Sequence, residues 1–319
     1  MNHFSEIIGQ DVAISLLQSS IDKRQVSHAY LFIGPQGVGK KLTALSFAWQ
    51  LIAIDDQDAR IFWLDQVHPD LMIIEVQEKK TVITKEQITK EMEPWLALKP
   101  YRAKHRIVII KDSHLMSDEA ANALLKTLEE PPPYAVIILV ADQSRLLETI
   151  VSRCQIIKFS VVTDHIIEQH LINKGVEATL ALEVSKLAQG SVALAEQFIQ
   201  DETIREKWDQ AREMIKDLSS RDVAQIFTVA EAIDKDTELF TNMLETILRD
   251  ILIYKTTKQE TLVVISDNII LANNLKIDEI NQLRAAINKI NQLKRNYRRH
   301  VNSMLISVNI AKNIWQAFH

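Results

Sequence analysis

The sequence predicts an α/β domain built on a parallel sheet, followed by a region that is almost entirely helical. Three observations carry this expectation. A glycine-rich segment, Gly34-Pro35-Gln36-Gly37-Val38-Gly39-Lys40-Lys41, sits between an apolar run and a helical pattern. Short apolar runs alternate with helical periodicities over roughly the first half of the chain. All seven prolines lie at or before Pro133, and only two of the six glycines, Gly175 and Gly190, lie beyond it. With so few breakers and a long apolar periodicity, the C-terminal part reads as helix.

The elements follow in order. Ala29–Ile33 is a short apolar run, as expected of a buried parallel strand. Beyond the glycines, Leu42, Leu45, Phe47, Ala48, Leu51 and Ile52 mark an apolar helix. Leu71–Ile74 is a further strand, residues 84–98 a helix, and residues 107–110 and 136–140 two more strands. Between these last two runs lies a helix over residues 118–130, with Ser117 as its N-cap and acidic residues in its first turn. Pro131, Pro132 and Pro133 stop it. Met243, Leu244, Ile247, Leu248, Ile251 and Leu252 recur at helical spacing and read as core of the helical region.

Composition narrows the class. The 319 residues, 47% of them hydrophobic, suffice for two or three domains with a sizeable core. No apolar run is long enough for a membrane span, and the N-terminus lacks a secretory pattern, so a cytoplasmic location is expected. The single cysteine, Cys154, excludes an internal disulfide and a cysteine-based zinc site, and reads as a packing residue. A net charge of −5 does not fit a stand-alone nucleic-acid binder. The cluster Lys294, Arg295, Arg298 and Arg299, with Tyr297 among them, reads as a solvated helix face or a subunit contact rather than a DNA contact. His68 and His114 lack neighbours at metal-ligand spacing and read as structural, so no metal site is expected.

The glycine segment carries the chemistry. A phosphate-binding P-loop reads G-x-x-x-x-G-K-[ST]: backbone N–H groups cradle phosphate, the lysine reaches it, and the final hydroxyl ligates magnesium. Gly34, Gly37, Gly39 and Lys40 fit, but Lys41 stands where the hydroxyl belongs. The strand before and the helix after it support a true P-loop over a chance glycine turn.

Residues 120–132, Ala-Ala-Asn-Ala-Leu-Leu-Lys-Thr-Leu-Glu-Glu-Pro-Pro, together with Ser152-Arg153-Cys154, resemble the clamp-loader family of bacterial AAA+ proteins, the gamma/tau and delta-prime subunits of DNA polymerase III. Phe4-Ser5-Glu6-Ile7-Ile8-Gly9-Gln10 and His68-Pro69-Asp70 resemble further segments of that family. The resemblance implies an AAA+ domain over residues 1–160, a helical lid over 161–205 and an all-α collar over 206–319.

The departures from the family pattern point to the delta-prime type. In the motor subunits an acidic pair ends the second-motif strand, one member holding the metal and the other orienting water. Here Lys111 and Asp112 occupy those places. An ammonium about 4 Å from a magnesium ion is unfavourable by several kcal/mol. The polar sensor would fall near Val140 and Ala141, and Leu194, within 190–195, stands where a second-sensor arginine is expected. The family's four-cysteine zinc module has no counterpart in residues 53–67, which lack cysteine.

Alone, Arg153 reads as a surface arginine at a strand edge. The resemblance implies instead that it projects across a subunit interface and acts in trans on a neighbour's ATP. The nucleotide site itself is expected to be vestigial, with no cofactor required and room for only weak ATP or ADP binding. The implied partners are gamma/tau and delta subunits and, through the complex, the sliding clamp and primed DNA. Two rivals are a gamma/tau-type motor ATPase and another replication-associated AAA+ binding protein.

Overall fold

The computed structural model describes residues 4–63, 67–78, 80–142, 146–200, 203–275, 279–294 and 302–319. The chain divides into two compact units, one of residues 1–175 with 188–195, the other of residues 176–187 with 196–319.

In the first unit, strands β1 (Ala29–Ile33), β2 (Leu71–Ile74), β3 (Arg106–Ile110), β4 (Ala135–Ala141) and β5 (Gln155–Lys158) form one sheet in the order β2-β3-β4-β1-β5. Every pairing is parallel. The central strands are covered on both faces, which is why they read as unbroken apolar runs: β3 and β4 are buried at every position. Helices α1 (Asp11–Asp22) and α2 (Lys40–Asp55) cover one face, where Tyr30, Phe32, Phe47 and Trp49 share a core with Ile107, Ile109 and Ile138. Helix α5 (Asp118–Glu129) covers the other through Ala120, Ala121, Leu124 and Leu128.

Local signals explain the helix ends. Ser117 accepts a hydrogen bond from the Ala120 N–H at 3.2 Å and caps α5, as its sequence predicts. The helix expected over 84–98 is less regular: residues Gln87–Met92 form a wider π-helical turn that continues into α4 (Glu93–Ala97). Pro94, in the first turn of α4, has no N–H to donate. After β5 the chain of this unit runs on into α7 (Asp164–Asn173), with the short helices α3 (Ala59–Trp63) and α6 (Glu148–Val151) earlier in it.

The second unit is all helical among its described residues apart from turns. Helices α8 (Ala178–Leu187), α10 (Thr203–Ser219), α11 (Gln225–Asp234), α12 (Thr237–Thr257), α13 (Asp267–Asn274), α14 (Ile280–Lys294) and α15 (Ser303–Ala317) surround one core, while α9 (Val192–Gln200) crosses the unit boundary. Met243, Leu244, Ile247, Leu248 and Ile251 are buried in this core and Leu252 packs against it, as the spacing predicts. Asp250 is buried too. Its carboxylate accepts from the Val264 and Ile265 N–H groups (2.9 and 3.0 Å) and from Asn268 Nδ2 (2.8 Å), pinning the turn before α13.

Candidate functional site

Because all five strands run the same way, their C-terminal ends share one edge of the sheet. The loops leaving β1, β2, β3 and β4 therefore bring residues 34–41, Glu75, Lys111, Asp112 and Asp142 together, as in other open parallel sheets. Gly37 and Gly39 take left-handed backbone, φ 74° and 94°, which lets the loop turn back to start α2. A side chain at Gly37 would also collide with Ser191, since the stretch before α9 lies against the loop and Ala193 N–H donates to Gly37 O at 3.1 Å.

Lys40 is buried at 6% exposure, and protein groups take all three of its N–H donors. It donates to Gly34 O (2.8 Å), to Pro35 O and to Asp142 Oδ1 (2.9 Å). A phosphate would have to displace the Asp142 carboxylate. Sequence reasoning named Val140 and Ala141 at this edge and did not single out Asp142, which pairs with Lys40. Strand β4 runs through both and buries them, so the first residue past the strand stands at the edge. The available signal was the first polar residue after the apolar run. Asp142 is held in turn by its own N–H, which donates to His114 Nδ1 at 3.3 Å.

Lys41 and Lys111 are neighbours at this edge, with Glu75 and Asp112 beside them. The Lys41 side chain is exposed as a whole, yet partial desolvation of its ammonium and the neighbouring Lys111 lower its pKa, opposed by Glu75 and Asp112. Lys111 pairs with Glu75 at 2.8 Å, and this bond holds the Glu75 carboxyl below its ordinary range. Asp112 has left-handed backbone, φ 49° and ψ 43°, and starts the 3₁₀ turn Ser113–Leu115. Leu194 lies in the first turn of α9 and offers no cation. Two ammonium groups where magnesium ligands belong, and a carboxylate on the P-loop lysine, do not fit a magnesium nucleotide. Lys40 and Lys111 are each paired within the chain, with Asp142 and Glu75.

Arg153 lies elsewhere. It precedes β5, so it stands at the N-terminal edge of the sheet, about 15 Å from the P-loop edge at the usual rise of a five-residue strand. That is beyond the reach of its side chain to its own Lys40. Its Nη2 donates to Glu129 Oε1 at 2.6 Å and its Nη1 to Thr149 O at 2.8 Å, with 35% of the side chain exposed. Cys154 packs half-buried against the α5 side of the sheet, and burial pushes its thiol up to about 11, so it stays protonated at neutral pH.

His68 is structural. Its Nε2 lies 3.0 Å from Asp56 Oδ2, and its Nδ1 accepts the Asp70 N–H at 3.0 Å. Arg102 joins Asp56 through two bonds of 2.7 and 2.9 Å. These bonds tie the end of α2, in the segment without cysteines, to β2 and to the loop before β3. Of the basic cluster, Lys294 ends α14, and Arg295, Tyr297, Arg298 and Arg299 lie outside the described residues.

Residues 9–163 match the family model described as DNA polymerase III, delta subunit. The delta' subunit of DNA polymerase III from Bacillus subtilis is 34% identical over 54% of this chain and 54% of its own length. The delta' subunit from Pseudomonas aeruginosa is 29% identical over 63% of this chain and 64% of its own. The tau/gamma subunit from Haemophilus influenzae is 31% identical over 59% of this chain and 29% of its own. The chain thus spans less than two thirds of the length of each relative. A gamma subunit-related protein from Thermotoga maritima shares the fold across 96% of this chain and 99% of its own, with a TM-score of 0.50 at 20% identity. The fold is a five-stranded parallel sheet with a glycine loop after β1, followed by a helical C-terminal region.

Proposed function

We propose, from the premise that this chain belongs with the clamp-loader AAA+ proteins of bacterial DNA polymerase III, that it plays the delta-prime part: a subunit that does not turn over ATP and that lends Arg153 to a neighbour's site. The observation carrying this reading is the separation of cations between the two sheet edges. At the C-terminal edge Lys40 is taken by Asp142, and Lys41 and Lys111 crowd the metal position. At the N-terminal edge Arg153 is partly exposed and out of reach of its own P-loop. An arginine there serves chemistry only in another chain, where it would stabilise charge developing on the transferred phosphoryl group.

The division into residues 1–160, 161–205 and 206–319 serves this part. The first presents Arg153, the second links, and the helical third packs with gamma/tau and delta subunits in a collar. The sliding clamp and primed DNA are met through the assembled cytoplasmic complex. Both delta' and tau/gamma relatives match at similar identity, so a motor-type ATPase is the second reading. Complexes of equal composition with wild-type chain or Arg153→Ala, assayed for clamp- and DNA-stimulated hydrolysis and for clamp loading, test the first. Loss of both supports it, and two unchanged values overturn it. Steady Mg²⁺-dependent turnover by the isolated chain, abolished by Lys40→Ala, would install the second.

A further inference from the structure

We infer that Glu129 is the positioning residue of Arg153, holding its guanidinium ready for the neighbouring site. This rests on the reading that Arg153 acts in trans. Glu129 is the last residue of α5, a helix fixed on the sheet by the buried Leu124 and Leu128. Its carboxylate takes Arg153 Nη2 at 2.6 Å, while the carbonyl of Thr149, in α6 beside the buried Ile150, takes Nη1 at 2.8 Å. Each terminal nitrogen is thus fixed to a different helix of the same unit. Nη1 also reaches Ser152 Oγ at 3.4 Å, and the remaining donors belong to a side chain that is 35% exposed.

An arginine on a free stem would lose rotamer freedom each time it met a phosphoryl group. Two anchors on helices packed against the sheet remove that loss in advance. A solvent-exposed ion pair contributes little to stability, and Glu129 is itself 51% exposed. Its removal should therefore leave the fold intact and expose the positioning role.

The test uses complexes reconstituted with gamma/tau-type subunits and carrying wild-type chain, Glu129→Gln, Glu129→Asp, Arg153→Ala or the Glu129→Gln/Arg153→Ala pair. The expected result is that Glu129→Gln lowers kcat of the Arg153-dependent hydrolysis by about three- to ten-fold, the loss of one pre-ordered side chain, with KM for ATP unchanged. Glu129→Asp recovers part of the rate, and Glu129→Gln adds nothing once Arg153 is alanine. A Glu129→Gln rate at or above wild type, with Arg153→Ala impaired, overturns the inference and leaves the trans reading standing. Additive losses in the pair assign Glu129 a merely structural role and also overturn it. If Arg153→Ala itself is silent, the trans reading falls and the inference with it.

Discussion

The two edges of one sheet put their charges to opposite uses. At the C-terminal edge the groups cancel one another within the chain: Lys40 against Asp142, and Lys111 against Glu75 with Lys41 alongside. At the N-terminal edge Arg153 is paired as well, but with 35% of its side chain exposed. The same parallel topology gathers the loops at the first edge whatever charges they carry. Fold therefore fixes where the loops meet, and side-chain charge decides what the meeting place does.

The largest effect should come from the outward-facing edge. Arg153→Ala is expected to cut hydrolysis at the one neighbouring site by about 10³-fold or more, the range found for arginines acting on transferred phosphoryl groups. Total hydrolysis by a complex with several sites would fall only in part, and clamp loading would fall further. Arg153→Lys should rescue incompletely, because an ammonium lacks the planar fork. Single-turnover hydrolysis in matched complexes separates one silenced site from a general slowing. A uniform slowing of all sites would break the contrast between the edges.

Much of this contrast was legible in the sequence. Lys41, Lys111 and Arg153 were singled out from the sequence, and the structure puts the two lysines at one edge of the sheet and Arg153 at the other. Buried parallel strands announce themselves because both faces are covered, as in the fully apolar run of β4. Pairings between residues distant in sequence were not legible. Asp142 meets Lys40 across 102 positions and Arg153 meets Glu129 across 24, and neither contact leaves a periodic trace. The Asp56, His68 and Arg102 network was hidden for the same reason, although His68 was rightly read as structural.

A smaller effect should follow from opening the closed edge. Asp142→Asn removes the carboxylate that meets Lys40 at 2.9 Å while keeping its size. Two negative groups on one ammonium repel by several kcal/mol at about 4 Å and a surface-like dielectric. Affinity for metal-free ATP or pyrophosphate is therefore expected to rise by about ten-fold or more. Isothermal titration with and without chelator reads the change. Equal affinity in variant and wild type would mean that Asp142 does not hold the site closed.

A third effect concerns acid. Bonds from Arg102, opposed by burial and aided by His68 and the Asp58 N–H, hold the Asp56 carboxyl at about 2, below its ordinary 3.8. Between these values the unfolded chain binds the proton that the folded chain refuses. Asp56 therefore stabilises the fold above about pH 4, and this contribution should fade as pH drops towards 2. Chemical denaturation across that range should show a shallower acid loss for Asp56→Asn, which starts from lower stability. Parallel curves for the two proteins would place the acid sensitivity elsewhere.

The smallest expected effect is none, and it sharpens the comparison most. Lys40→Ala removes the residue on which every P-loop ATPase depends for its phosphate contacts. In this chain Lys40 already spends its donors on Gly34, Pro35 and Asp142, with two lysines crowding the metal position. Stimulated hydrolysis by the whole complex should therefore be the same with Lys40→Ala as with wild type. The substitution also takes the Lys40 ammonium away from Asp142, whose side chain is 13% exposed, so some stability is lost. The thermal midpoint must accordingly be measured beside the rate, and a double Lys40→Ala/Asp142→Asn variant controls for the Asp142 carboxylate. A fall in rate that persists in the double variant, at a temperature where both chains are folded and assembled, would show turnover at the C-terminal edge. The two edges would then both be working sites, and the separation of roles between them would be lost.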